Sequence, residues 1–181
     1  MDTESTTGCK HYKRRVILIA PCCSRRYSCR FCHDENENHP IPRFAIGKLV
    51  CALCKTVQNV RTTCKACGIR FGKYVCLICN LFDDEDKGQF HCKACDLCRI
   101  GGEHNYFHCD RCNMCLNKNI KTTHKCIENA AKRQCPICLD NDMHSSREPL
   151  HVPACGHLLH KKCWEQLQAS AHTACPICQA K

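Results

Sequence analysis

The chain holds 24 cysteines and 12 histidines in 181 residues, and most of the cysteines stand in C-x2-C pairs. Thiolate and imidazole are the ligands that a tetrahedral Zn2+ takes, and C-x2-C supplies two of them from one tight turn. Disulfides also use many cysteines, but they have no need of histidine at ligand spacing. Here a His-Cys step precedes a spaced cysteine pair twice, at His91-Cys92 and His108-Cys109. The chemistry implied is repeated structural zinc.

Cys51-x2-Cys54-x9-Cys64-x2-Cys67 reads as a complete site on spacing alone. Upstream, Cys9, His11, Cys29 and Cys32 group on one ion, and Cys22, Cys23, His33 and His39 on another. Downstream, the blocks HCKACDLC (91–98) and HCDRCNMC (108–115) repeat after 17 residues. Four ligands so close in one block do not sit comfortably on one ion, so the blocks are expected to interlock. The expected sites are Cys76, Cys79, His91 and Cys95; then Cys92, Cys98, His108 and Cys112; then Cys109, Cys115, His124 and Cys126. The last segment carries Cys135-x2-Cys138, Cys155-x-His157, His160-x2-Cys163 and Cys175-x2-Cys178. All 24 cysteines and eight of the histidines make four ligands for each of eight zinc ions. No thiol is then spare for a covalent relay. His104, His144, His151 and His172 fall outside the scheme and read as surface histidines, with His104 the one alternative to His108 as a ligand.

The elements that hold such ligands are expected to be short strands and turns. Val16 to Ala20 is the only apolar run near the start; it is too short for a signal-peptide core or a membrane span and reads as a short buried strand. Ile127 to Gln134 reads as a short helical connector. Leu150 and Val152 suggest one strand. WEQLQASA, after Cys163, has helical composition with Trp164, Leu167 and Ala171 on one face. The expected fold class is a set of small zinc-stabilised modules, irregular with short strands. The expected division is residues 1–72, an interlocked array over 73–130, and a third module over 131–181. Each module is too small for a self-sufficient core and needs a metal staple. With no sign of export, the cysteines are expected to be kept reduced in cytoplasm or nucleus.

The formal charge of +10 suggests nucleic acid, but metallation removes the suggestion. If all 24 thiols ionise on eight zinc ions, the net charge falls to about +2. A Cys2His2 recognition helix is absent as well. Neither nucleic acid nor membrane is expected as a partner. The basic run Lys13 to Arg15 and the acidic runs Asp34 to Glu37 and Asp83 to Asp86 read as solvated surface.

The order of ligands in the last segment, three cysteines, two histidines, three cysteines, resembles the RING finger with two central histidines. That resemblance implies a cross-brace. One site is Cys135, Cys138, His160 and Cys163, and the other is Cys155, His157, Cys175 and Cys178. The whole chain looks like the CHY zinc-finger RING ubiquitin ligases. The residues that carry the likeness are GCKHY (8–12), APCCSRRYSCRFCHDENENH (20–39), the HC-repeat segment, and HKCIENAAKRQCPICL (124–139) leading into CGHLLHKKC (155–163). By that resemblance residues 1–72 form a CHY-type finger, 73–130 a CTCHY-type array and 131–181 a RING. Familiar animal relatives continue past the RING into another small zinc-binding domain, whereas this sequence stops at Lys181.

The resemblance implies a non-covalent ubiquitin ligase. Its partners are a ubiquitin-conjugating enzyme, ubiquitin and a protein substrate that the sequence does not name. Catalysis is by orientation of the thioester-linked ubiquitin toward a substrate lysine. By resemblance, Ile137, Leu167 and Pro176 line the docking groove, with Pro136 and Ile177 beside them. Gln179 stands where many RINGs carry an arginine that bonds both enzyme and ubiquitin. Trp164 reads as a packing residue. The competing reading is a non-catalytic zinc scaffold or adaptor.

Overall fold

A computed structural model describes residues 7–139, 143 and 150–180. The chain divides into two units, residues 1–86 and 87–181.

The first unit is built on a four-stranded antiparallel sheet. Its strands are β1 (Val16–Ile19), β2 (Arg26–Tyr27), β3 (Lys48–Cys51) and β4 (Val57–Asn59), in the order β2-β1-β3-β4. The apolar run read from the sequence as a buried strand is β1, with Val16 and Leu18 on the core side. A five-residue helix, α1 (Arg30–Asp34), follows β2, and the Cys29 sulfur caps it by accepting from the Cys32 N–H. The hairpin of β5 (Tyr74–Cys76) and β6 (Leu81–Asp83) completes the unit. Leu18, Leu49, Ile46, Phe71 and Phe82 form its core, with Phe71 edge-on to Phe82.

Two expectations about charge fail here. Arg14 is 1% exposed, with its guanidinium 5.5 Å from the Tyr12 ring centre. Asp83 is likewise 1% exposed and accepts from the Glu85 N–H. The run 13–15 is paired with the run 83–86, with Arg14 and Asp83 buried while Lys13 and Asp86 stay exposed. Lys13 meets Glu85 at 3.1 Å, and Arg15 meets Asp84 at 2.6 Å.

The second unit is a series of hairpins. β7 (Phe90–Cys92) pairs with β8 (Leu97–Arg99), β9 (Tyr106–Cys109) with β10 (Met114–Asn117), and β11 (Leu150–His151) with β12 (Leu159–His160). The helix α2 (Lys161–Ala169) follows β12 directly, and Ala130–Lys132 form a 3-10 turn inside the expected connector. Met114, Leu116, Ala130, Ala131, Met143 and Leu158 share one core. Gly156 packs against the Lys125 carbonyl so closely that a β-carbon would collide with it, and its φ is +83°. Among the described residues no helix is long and apolar enough to cross a membrane.

One local device repeats through both units. The residue after seven of the C-x2-C pairs turns into the left-handed region: Lys55, Gly68, Asn80, Asp96, Asn113, Leu139 and Gln179. Its N–H returns to the carbonyl of the first cysteine, at 3.0 Å for Lys55 and Gly68 and 2.8 Å for Leu139 and Gln179. The knuckle points both sulfurs to one spot and reverses the chain. Glycine, asparagine and aspartate take this conformation readily. Lysine, leucine and glutamine do not; Lys55 is in the first unit, and Leu139 and Gln179 lie in the last segment.

Candidate metal centres

The knuckles and hairpins gather the ligands into tight groups. Cys9, His11, Cys29 and Cys32 form one, and Cys51, Cys54, Cys64 and Cys67 another, with all ligand atoms of each within 4.8 Å of one another. Within them Cys54 Sγ lies 3.5 Å from Cys64 Sγ, and His11 Nδ1 lies 3.2 Å from Cys29 Sγ. A tetrahedron with Zn–S of about 2.3 Å has edges of about 3.8 Å, so these spacings suit one ion per group.

The pair Cys22 and His33 closes to 3.2 Å, and the rings of His33 and His39 meet edge to face at 5.0 Å. His39 Nε2 is buried without a hydrogen-bond partner, an orphan that a metal bond would satisfy.

The second unit corrects the expected array. Cys95 groups with Cys92, His108 and Cys115, not with His91. Cys112 groups with Cys109, His124 and Cys126, and Cys115 does not. Cys98 is the sulfur beside His91, at 3.9 Å. The reason is in the hairpins. Each C-x2-C knuckle stays whole on one site, and the third cysteine of each block comes back across the strands to its own histidine. His91 faces Cys98 in the β7–β8 register, and His108 faces Cys115 in β9–β10.

In the last segment His160 Nδ1 lies 3.4 Å from Cys138 Sγ and 3.9 Å from Cys163 Sγ, while Cys135 hydrogen-bonds Cys138. Separately, Cys175 Sγ lies 3.7 Å from His157 Nδ1, and Cys155 contacts Cys175 and Cys178. The interleaving of the two sets is the cross-brace that the resemblance implied.

Electrostatics supports a cation at these points. The Cys115 thiol donates to Cys95 and outweighs burial, drawing Cys95 down to about 4 while Cys115 itself is pushed up. Burial raises Cys109, but the Cys112 N–H and His124 overcome it and bring the thiol to about 7, while burial and the neighbouring Cys109 push Cys112 up to about 12. Crowded thiols cannot all ionise without a shared cation. The far ring nitrogens are also held, as zinc-bound histidines require. His11 Nε2 sits 3.0 Å from Glu35, His33 Nδ1 2.9 Å from Asp34, and His124 Nδ1 3.1 Å from the Ile120 carbonyl.

The histidines outside the scheme divide. His104 is exposed and takes no part in the His108 group; His172 is exposed beside the Ser170 carbonyl. His151 is not a free surface group: it stacks on Trp164 at 4.6 Å, and burial lowers its pKa. His144 lies outside the described residues. Of the docking residues, Ile137, Leu167 and Pro176 are half-buried, and Ile137 packs partly on the unit core. Gln179 is exposed but held in its knuckle. The sequence reading passed over Leu139, which is 66% exposed, more than any other large apolar side chain described. The signal was its place just after Cys138, the knuckle position that also leaves Lys55, Gly68 and Asp96 exposed.

Residues 9–74 match the CHY zinc finger family and residues 133–179 the Ring finger domain. The chain belongs to the CHY zinc-finger and RING finger family. It is 44% identical over 174 residues to the E3 ubiquitin-protein ligase SRFP1 of Oryza sativa subsp. japonica, a match covering 94% of this chain and 66% of that protein. It is 40% identical over 181 residues to the E3 ubiquitin-protein ligase RZFP34 of Arabidopsis thaliana, covering 94% and 62%. It is also 40% identical over 175 residues to Zinc finger protein BRUTUS of Arabidopsis thaliana, covering 94% of this chain and 14% of that protein. The chain thus spans less than two thirds of the ligases it matches. The zinc-binding character of the fingers agrees with the ligand groups.

The regrouped array makes a testable distinction. Cys95→Ser should disturb the ring signals of His108 before those of His91 and lower the zinc content by at least one ion. NMR of the two imidazoles in zinc-loaded protein reads this, and a first effect on His91 would restore the pairing expected from sequence.

Proposed function

We propose that this chain is a RING-type ubiquitin ligase that docks a charged ubiquitin-conjugating enzyme and promotes transfer to a substrate lysine. The observation that carries the reading is the exposed apolar side chains at the two RING knuckles. Leu139 is 66% and Ile177 49% exposed, and they stand beside the half-buried Ile137 and Pro176. Leu139 also holds a left-handed backbone that costs about 1–2 kcal/mol outside glycine. An exposed leucine in a strained turn is poor for solubility and stability, and good for a partner's apolar surface.

No reacting group is needed. Zinc in these sites is structural: it fixes the knuckles, and the knuckles present the docking side chains. The ligase then contributes orientation, worth several orders of magnitude in effective molarity. In this reading residues 1–72 and 73–130 recruit substrate, and residues 131–181 engage the conjugating enzyme. Counting four ligands for each ion, the 24 cysteines and eight of the histidines make eight zinc ions. Reduced thiols at every site suit the cytoplasm or nucleus. Gln179 offers a neutral amide in place of the charged fork of arginine, so the closed pose rests more on apolar contact.

Autoubiquitination of the zinc-loaded chain with a panel of conjugating enzymes tests the reading. Ladders with at least one enzyme are expected. Failure to discharge any charged enzyme would leave the non-catalytic scaffold as the better account.

A further inference from the structure

The first unit's sheet ends in an open edge. β4 pairs only with β3 on one side, and it is the last strand in the order β2-β1-β3-β4. The Cys51 N–H bonds the Thr56 carbonyl, and the Val60 N–H bonds the Gly47 carbonyl. Antiparallel alternation then makes Leu49 and Gln58 the bonded pair between them and turns the N–H and C=O groups of Val57 and Asn59 outward. Both residues are exposed, Val57 to 44%. No hydrogen bond to these outward groups is recorded among the described residues.

This edge is stiff and basic. Gln58 anchors it from below, its Nε2 donating to Cys64 Sγ at 3.3 Å and its Oε1 accepting from the Lys65 N–H at 2.8 Å. A hollow of about 520 Å³ runs along the strand, lined by Lys48, Val57, Asn59, Arg61 and Lys65 among others. No acidic side chain lines it. The charge is segregated over a longer stretch: residues 39–82 contain seven lysines and arginines and no aspartate or glutamate. Four thiolates on one Zn2+ at Cys51, Cys54, Cys64 and Cys67 offset only part of that excess.

We propose that the outer edge of β4 takes up an extended acidic peptide by strand addition, with Lys48, Arg61 and Lys65 pairing its carboxylates. This names the chemistry of the segment that the first unit recruits, and it rests on the substrate-recruiting part of the function proposed above. Main-chain pairing would give affinity, Val57 an apolar contact, and the cations selectivity. A pre-ordered edge spends little on ordering when it binds. Nucleic acid fits less well, because no aromatic side chain lines the hollow to stack on a base. The bland account is that lysines guard an edge strand against aggregation, and that account predicts no selective binding.

The test uses the full zinc-loaded chain and a fluorescent, end-blocked peptide of alternating glutamate and valine. Binding is expected, with the amide signals of Val57 and Asn59 shifted and protected from exchange. Affinity should fall at least about tenfold when alternate peptide bonds are N-methylated, when lysine replaces glutamate, or when the protein carries Lys48→Glu with Lys65→Glu. Asn59→Pro should weaken binding similarly, since proline is tolerated where an edge N–H faces outward. Lys48 and Lys65 are both exposed, so the charge-reversal variant should keep its zinc and its spectrum. It should also keep autoubiquitination, which separates failure of this site from failure of the ligase reading. Absent binding, equal binding of the N-methylated peptide, or tighter binding of a single-stranded oligonucleotide would overturn the proposal.

Discussion

Ile137→Ala should cut ubiquitin discharge by about 30-fold while the protein keeps its full zinc content. A buried apolar anchor at an interface is worth about 2 kcal/mol or more, which is about that factor. The substitution touches no ligand. It trims a half-buried side chain at the edge of the second unit's core, a loss that the zinc site of the flanking Cys135 and Cys138 can withstand. His160→Ala should behave differently. His160 is 6% exposed with its Nδ1 beside Cys138 and Cys163, so its removal opens the metal site and exposes the core that α2 covers. Activity, zinc and near-native spectrum should then be lost together. Single-turnover discharge to free lysine, run beside zinc analysis, reads both variants. If Ile137→Ala keeps full rate with several conjugating enzymes, the docking face lies elsewhere, and Leu139 and Ile177 are the residues to test next.

How far the sequence could be read depended on how local each signal was. The knuckles were legible because two ligands and their turn lie within a few residues. The strand β1 and the helix α2 were legible because an apolar run and a 3.6-residue period are local as well. The pairing inside the array was not. Splitting Cys92 from Cys95 between two sites looked economical on ligand count. What decided otherwise was the left-handed turn at Asp96 and Asn113, which keeps each pair whole, and the hairpin register that brings Cys98 to His91 and Cys115 to His108. Aspartate and asparagine just after the second cysteine were the available clue. Arg14 was missed for a different reason. It sits between two charged neighbours that do reach acidic partners, and nothing in a run of three bases says which one turns inward. Leu139 shows the reverse error, an apolar residue that the turn holds outside.

Removing zinc should unfold both units. The sheet core of the first unit rests on a handful of large side chains, and cysteine ligands such as Cys51 and Cys64 are themselves part of it. In the second unit Cys112, Cys135 and Cys163 play that double role. A structural zinc site contributes about 10–16 kcal/mol, as much as or more than the whole net stability of an ordinary domain. Without the ion, the same thiols become crowded groups that compete for protons, as the opposed shifts of Cys95 and Cys115 indicate. Chelator should therefore abolish amide dispersion and autoubiquitination together, and acid should do the same by protonating the ligands. Retained dispersion after chelation would mean the apolar cores suffice alone.

The most direct measurement is native mass spectrometry of the intact chain during stepwise chelation, with elemental analysis of the same sample. The account predicts eight zinc ions per chain at the start, and loss of the array ions in linked steps because neighbouring sites share the hairpins of one repeat. A reproducible value near four, with the native spectrum intact, would contradict it.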